Sequence, residues 1–508
     1  MGSKGGAACS RNGHSSARYE VVQPRAAALI ESLRAFGYTL PTALADLIDN
    51  SIVANADNVW LHFEWSGGDS YISVGDDGDG LTEEQLIEAM RPGSRGPCGP
   101  RKSSDLGRFG LGLKTASFSQ CRRVTVQSTP PDGKPSVRCW DLDYVNETGE
   151  WRLLKDGALS LPRRTKAPAK CRTTVFWEKL DRIVGEDEQD DAAAQQRFLK
   201  LIDEVEQHLA MVFHRFMVGP NPLRIYINGC DKDHLVKPWS PFLEDHPATQ
   251  QLQTERIPFT GTTVTVTPFV LPHHDKMTAE LFKCAGGRRG WNAQQGFYVY
   301  RNKRLLVAGD WLNLGYHKEE HYKLARIQVD IPNSTDGEWS IDVKKSHAHP
   351  PPPIRHDLKR IADLTRKRAV EVYRHRGKTL ARSASQPHVF AWKPVKRGNK
   401  NFYAINREHP LVRRALDVPD EHRQAVKALL TLLEETVPVE QIWVDKADKP
   451  DDHGKPFEGA KEKDLIEVLN QLYIVLRNSG FSAAEARRRI MAMDPFGNYP
   501  EMVDNLTD

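Results

Sequence analysis

The residues best suited to chemistry lie between Ser70 and Thr115. Val74-Gly75-Asp76-Asp77-Gly78-Asp79-Gly80-Leu81 is followed, past a Gly/Pro-rich loop, by Gly107-Arg108-Phe109-Gly110-Leu111-Gly112-Leu113-Lys114. Glycine is needed where backbone takes positive φ or approaches a ligand closely, and an Asp ahead of such a cluster can accept a hydrogen bond from a ligand amine. The second cluster opens a helix expected over Leu111 to Gln120, whose free N–H groups and dipole would meet an anion such as phosphate. The pair suggests a nucleotide site, although a glycine triplet alone also fits a turn before a tightly packed helix.

Upstream, Thr42 to Ala56 (TALADLIDNSIVANA) has helical periodicity. Leu44, Leu47, Ile48, Ser51 and Ile52 share one face, and Asp46, Asp49, Asn50 and Val53 the opposite one, so the acids are expected to face away from the core. Asp46 and Asn50 stand one turn apart. A carboxylate beside an amide oxygen suits a hard cation such as Mg²⁺, which takes one or two protein oxygens and completes its shell with water and phosphates. A solvated acidic helix face would give the same pattern.

These three blocks, in this order and spacing, resemble the nucleotide-binding fold of the GHKL superfamily (gyrase B, Hsp-ninety chaperones, histidine kinases, MutL and the MORC proteins), also called the Bergerat fold, over about Gly37 to Trp177. The resemblance implies ATP as ligand, Asn50 as the holder of Mg²⁺ and Asp76 as the reader of the adenine amino group. It implies that Gly78 and Gly80 shape the adenine-side loop, that Arg91 to Leu106 is a lid over ATP, and that Gly107, Gly110 and Gly112 cradle phosphates with Lys114 nearby. Thr173 matches the family's Thr near the adenine, although Arg172 stands where a Gly usually precedes it. The family's ATPases usually carry Glu where this chain has Asp46, the residue that orients the attacking water. Geometry matters on the scale of ~1 Å in catalysis, so hydrolysis is expected to be slow, with Asp49 as a second candidate base.

These residues must be positioned by a larger framework. At 508 residues the chain exceeds one ordinary core, and a prior of ~150 residues per domain suggests about three units. The expected division is a flexible segment 1–20, an ATP-binding domain 21–217, a second domain 218–353, a basic helix and linker 354–405 and a helical region 406–508. A long helix from Gln195 to Met217 would close the first domain before Gly219-Pro220-Asn221-Pro222 breaks it. Strand-like runs follow at Leu223 to Asn228, Thr262 to Leu271 and Gly296 to Tyr300. This second region is similar to the transducer domain of gyrase, MutL and MORC proteins, which implies a lysine reaching the γ-phosphate when the domains close. In Trp339-Ser340-Ile341-Asp342-Val343-Lys344-Lys345-Ser346 that residue is Lys345, with Lys344 as the alternative; a surface lysine pair is the plainer reading. The fold class is therefore α+β: a Bergerat-type sandwich, a transducer-like α/β domain and a helical C-terminal region.

Charge and cysteines narrow the function. The 71 basic and 67 acidic residues leave a net +4, and the seven cysteines form no CxxC pair, which argues against a disulfide framework or zinc site. No run approaches the ~18 apolar residues of a membrane span, and the N-terminus lacks an apolar signal core, so a cytoplasmic protein without membrane contact is expected. Between 351 and 380, nine Lys/Arg stand against three acids, an excess of six, within a helix expected over Ile354 to Arg376. Arg366, Lys367, Arg368 and their neighbours could track DNA phosphates, and Trp392 to Tyr403 (WKPVKRGNKNFY) interleaves bases with aromatics. A solvated helix accounts for the first pattern equally well.

Helices are expected at Pro419 to Thr436, Ala460 to Asn478 and from Ser482 to Met493, with a charged loop over Lys446 to Lys461. Two function classes remain: an ATP-driven, dimerising clamp on DNA serving repair, restriction or defence against foreign DNA, or a chaperone-like ATPase or nucleotide sensor acting on protein. A histidine kinase is disfavoured because no phospho-acceptor His on a dimerising helix pair is read ahead of the ATPase segment, and a topoisomerase because no cleavage domain with a recognisable Tyr nucleophile and metal-binding acids is read after it.

Overall fold

The computed structural model describes residues 20, 24–93, 112–155, 168, 170–185, 191–341, 348–374, 391–397, 400–439, 441–442, 457, 461–491, 493, 496 and 499–507. Gly107, Gly110, residues 94–106 of the expected lid, Lys344 and Lys345 lie outside them. The chain forms two compact units, Met1–Lys378 and Thr379–Asp508.

The first unit begins with helices α1 (Ala26–Arg34) and α2 (Leu40–Val53), strands β1 (Asn58–Glu64) and β2 (Tyr71–Asp76), and helices α3 (Glu83–Met90) and α4 (Gly112–Gln120). It continues through β3 (Arg123–Ser128), β4 (Ser136–Asp141), α5 (Leu142–Thr148), β5 (Leu154–Lys155), β6 (Thr173–Glu178), α6 (Ala192–Val212) and β7 (Arg224–Ile227). The seven strands make one sheet in the order β5-β4-β3-β6-β2-β1-β7, antiparallel throughout except for the parallel β1–β7 pair. Thus Arg224–Ile227, expected in the second domain, is an edge strand of the first sheet.

Helix α2 packs on α4, α6 and β2. Thr42 Oγ1 accepts from the Thr39 main-chain N–H at 3.1 Å, and Pro41 occupies the first turn, where its missing N–H costs nothing. Leu44 and Ile48 are fully buried, worth ~1.5–3 kcal/mol each. Helix α6 is capped by Asp191, whose carboxylate accepts from Ala193 and Ala194 at 2.9 Å. It stops at Val212 rather than the expected Met217. The chain turns back there, with Phe216 N–H donating to Phe213 O at 2.8 Å and Leu223 N–H to Phe216 O at 2.9 Å, which sends the next strand to the sheet edge.

A second sheet follows in the same unit: β8 (Gln250–Gln251), β9 (Glu255–Phe259), β10 (Thr262–Val270), β11 (Gly296–Arg301), β12 (Arg304–Asp310) and β13 (Ala325–Ile331). Its order is β12-β11-β13-β10-β8, with β9 also paired to β10. Short helices α7 (Ala279–Ala285) and α8 (Gly290–Ala293) precede β11, and α9 (Pro352–Arg374) packs against β9, β10 and β13. Every residue of β11 is buried because the sheet is covered on both faces: Phe297 and Val299 join the core with Leu358 and Ile361 of α9, while Tyr298 and Tyr300 pack with Phe242 and Phe269. β11 and β12 are joined by a two-residue turn at Asn302 and Lys303, both at positive φ (48° and 69°), as a twisted hairpin requires. Pro352 and Pro353 open α9 instead of merely ending the loop before it.

The second unit holds a hairpin of β14 (Trp392–Arg397) and β15 (Lys400–Ile405), then α10 (Pro410–Leu416), α11 (Asp420–Glu435) and the helices Glu462–Asn478, Ala483–Met491 and Pro500–Asp504. Leu465, Leu469, Leu472, Ala486 and Ile490 form its core. Ser482 caps the Ala483–Met491 helix, exchanging hydrogen bonds with Glu485, after Gly480 has reversed the chain at φ 88°. No described helix is long and apolar enough to cross a membrane.

Candidate functional site

Asp76 ends β2 and is 7% exposed. Ser51 Oγ on α2 donates to its Oδ2 at 2.9 Å, and the Gly78 N–H donates to its Oδ1 at 3.0 Å. Burial pushes the Asp76 carboxyl above its usual range, against the pull of these two donors. Each oxygen keeps a further lone pair, so the group is a fixed acceptor for a ligand N–H. Its register partner across the ladder is Thr173 on β6. The Thr173 hydroxyl lies 2.8 Å from Ser128 Oγ, which accepts from Leu81 N–H at 2.9 Å, so the loop after Gly80 is tied to two strands.

The glycines have steric reasons. A Cβ at Gly78 would sit 2.6 Å from the Ala54 carbonyl oxygen, and Gly80, at φ 70°, is pressed against the Thr129 main chain. Arg172, which replaces the family's usual Gly, donates its N–H to Asp76 O at 2.7 Å and turns its guanidinium to Gly78 O at 3.4 Å. The pocket floor therefore accommodates the substitution.

At the other end of the pocket, the expectation that the α2 acids face away from the core is corrected. Asp46 and Asp49 are 3% and 2% exposed, because α4 and α6 pack on α2 and Arg304 of the second sheet reaches Asp49. Asp46 Oδ2 accepts from Tyr38 OH at 2.8 Å, and a Cβ at Gly112 would stand 3.5 Å from the same oxygen. The α4 N-terminus and Asp46 are therefore neighbours. Asp49 Oδ1 accepts from Arg304 Nε at 2.8 Å in a buried ion pair, which commits the second candidate base to a structural partner. Asn50, by contrast, is exposed and hydrogen-bonds through its main chain alone among the described residues.

Lys114 is buried and does not stand open to the pocket: its Nζ donates to the Ala89 carbonyl at the end of α3, at 3.0 Å. Burial brings its ammonium pKa down to about 8, with Glu88 pulling the other way. The structure thus gathers Asp46, Asn50, Asp76, Gly78, Gly80, Gly112 and Thr173 around α2, β2 and the start of α4. Sequence reasoning missed Tyr38, Ser128 and Arg304. Ser51 was placed on the apolar face without a role, and a hydroxyl in an apolar stripe was the available signal.

The cations proposed for DNA are not one open patch. Arg366 is stacked on Tyr322, Tyr316 and Trp311, with its guanidinium carbon 3.8, 4.1 and 5.4 Å from the ring centres. Arg368 pairs with Glu371 at 2.7 Å and with Gln250. Lys367, Lys359 and Arg355 are exposed on α9, as are Trp392, Lys393 and Tyr403 on the hairpin of the second unit.

Residues 38–165 match the family model described as Histidine kinase-, DNA gyrase B-, and HSP90-like ATPase. ATPase morc-1 of Caenorhabditis elegans is 30% identical over 92 residues, which are 18% of this chain and span 10% of that relative's length. The helix, strand and glycine turns that hold Asp46, Asn50 and Asp76 all fall inside the matched stretch, so residues 38–165 carry a GHKL-type ATPase domain.

Proposed function

We propose that the chain binds Mg·ATP between α2, β2 and α4, hydrolyses it slowly, and uses the resulting closure and dimerisation to act on DNA. The observation that carries the nucleotide reading is Asp76: a dry carboxylate held by Ser51 and Gly78 opposite Thr173. Asn50 fits the metal, since its exposed amide stands at the pocket on a helix whose neighbouring side chains are buried. Mg²⁺, when bound, would neutralise charge on the β- and γ-phosphates. The α4 N-terminus offers N–H groups to those phosphates. Asp46, oriented by Tyr38, would align the attacking water; its side chain is one methylene shorter than Glu and already holds a hydrogen bond, which supports slow turnover. Lys345 would reach the γ-phosphate from the second, transducer-like sheet.

The DNA reading rests on the exposed Trp392, Lys393 and Tyr403 of the hairpin, a combination suited to stacking and phosphate contact, and separately on the exposed Lys359 and Lys367 of α9. Arg366 and Arg368 serve the fold first. The test is ATPase rate with and without DNA. Asp46→Ala should lose ~10²–10⁴-fold in turnover while retaining ATP, and Asn50→Ala should lose Mg·ATP binding. A combined Trp392→Ala, Lys393→Glu, Tyr403→Ala variant should bind DNA weakly and keep ATP affinity. Absence of DNA affinity at low salt, with ATP present, would leave a nucleotide sensor or protein-directed ATPase, the reading that slow turnover also favours.

A further inference from the structure

A cavity of about 1450 Å³ lies between α6, α7, the residues that flank α8 and β12. Its described walls include none of Asp46, Asn50, Asp76, Gly112 or Thr173, and they meet α2 only at Thr42, one turn before Asp46. Five of its lining residues are Lys283, Arg288, Arg289, Arg304 and Lys318, against Glu280 and Asp310. Arg304 is neutralised by Asp49 and Arg288 by Glu204. Arg289 and Lys318 form no close ion pair among the described residues, although Asp310 attracts Lys318 from a greater distance: they donate to main-chain oxygens, Arg289 to Ala308 at 3.1 Å and Lys318 to Ala293 at 2.7 Å.

Behind this wall is a second, independent sign of a missing anion. Arg326 is fully buried and donates to the carbonyl oxygen of Gln294, a wall residue, at 2.7 Å and to Tyr298 OH at 2.6 Å. Among the described residues its Nε and Nη2 have no hydrogen-bond partner and no carboxylate acts on it. A buried guanidinium without counter-charge is costly. The local field is positive: burial and Arg304, Arg288 and Arg289 hold the wall residue His208 neutral, at about 3, and burial, Arg289 and Arg326 lower Lys318 against the pull of Asp310.

We propose that this cavity is an anion site for a phosphorylated small molecule. Guanidinium groups match phosphate oxygens in fork geometry, and the volume exceeds the ~300–1,000 Å³ of common small-molecule pockets, which admits a nucleotide-sized ligand with more than one phosphate. Arg304 joins the two sites, lining this cavity while it pairs with Asp49 beside Asn50.

The test titrates inorganic tripolyphosphate, in excess Mg²⁺, calorimetrically into the full chain already saturated with a non-hydrolysable ATP analogue, so that the nucleotide pocket is filled. Binding should persist in that state and weaken ~10–100-fold in Arg289→Glu/Lys318→Glu, whose two positions are exposed. An unchanged unfolding temperature confirms that this variant is folded. Binding abolished by the analogue, an unchanged affinity in the double variant, or no binding to the parent chain would each overturn the proposal. Displacement of tripolyphosphate by a short oligonucleotide would assign the phosphates to nucleic acid and overturn the small-ligand assignment.

Discussion

The two ends of the proposed nucleotide pocket are built in opposite ways. At the Asp76 end every support comes from the first sheet and the helix packed on it: Ser51, Gly78, Ser128 and Thr173 are held by strand ladders and one helix turn. At the Gly112 end the supports come from outside that sheet. Asp49, one residue from Asn50, is pinned by Arg304 at the start of β12, 255 positions away, and Lys114 reaches back to Ala89, just ahead of the expected lid. On the proposed reading, base recognition is preorganised within one layer, whereas the phosphate end is wired to the parts of the molecule expected to move. A displacement of the second sheet or of the lid should be felt by phosphates and not by adenine.

The strongest way to break this contrast is Arg304→Met. Removing one partner of a buried ion pair leaves Asp49 uncompensated and should cost ~3–5 kcal/mol in denaturant unfolding. Adding Asp49→Asn should recover much of that loss, which the double-mutant cycle would show. Adenosine affinity should survive in the double variant while ATP affinity falls. If both ligands weaken equally, the two ends are not separable.

This pair also marks where the sequence stopped being legible. The turn after Asp76, the helix that opens at Gly112 and the TALADLIDNS helix were readable, because each signal is local: periodicity, turn chemistry and a helix start within a few residues. The direction faced by Asp46 and Asp49 was misread because one-helix periodicity assumes a single buried face. α2 is covered on several sides, and its counter-charge arrives from a hairpin turn at Asn302 and Lys303 that no local pattern links to it. The same limit applies to α9. Its excess of cations was plain in the sequence, but the aromatic stack that occupies Arg366 draws on Trp311, Tyr316 and Tyr322 from another segment. The end of the first sheet was misplaced because β7 lies past a helix breaker and pairs in parallel with β1, far back in the chain.

Ser51→Ala probes the opposite end with a smaller expected effect. It removes a donor from a buried carboxylate, and hydrogen bonds to charged groups are worth ~1.5–3 kcal/mol, so adenosine and ATP should both weaken by ~10-fold or more while turnover at saturating ATP stays near the parent value. The loss for adenosine is the discriminating measurement, because a phosphate-end defect would spare it. Gly78→Ala should weaken both ligands further, since its methyl group would be driven into the Ala54 carbonyl.

The smallest effect on binding is expected at Lys114, and pH makes it visible. Burial holds its ammonium at about 8 in the folded chain, against ~10.4 for a free lysine. Between these values the unfolded chain carries a proton that the folded chain has released, so this residue's contribution to stability rises with pH across that window and is constant below it. The partner at Ala89 O lies at the C-terminal end of α3, where the helix dipole favours a cation but does not offset desolvation. Lys114→Met removes the titration. The difference in unfolding temperature between the parent chain and this variant should therefore shift in favour of the parent from pH 8 to pH 10, by a few degrees for a chain of this size. Adenosine affinity should be the same in both at every pH. A flat difference would show that Lys114 stays protonated throughout, and its link to α3 would then be an ordinary solvated contact that says nothing about the lid.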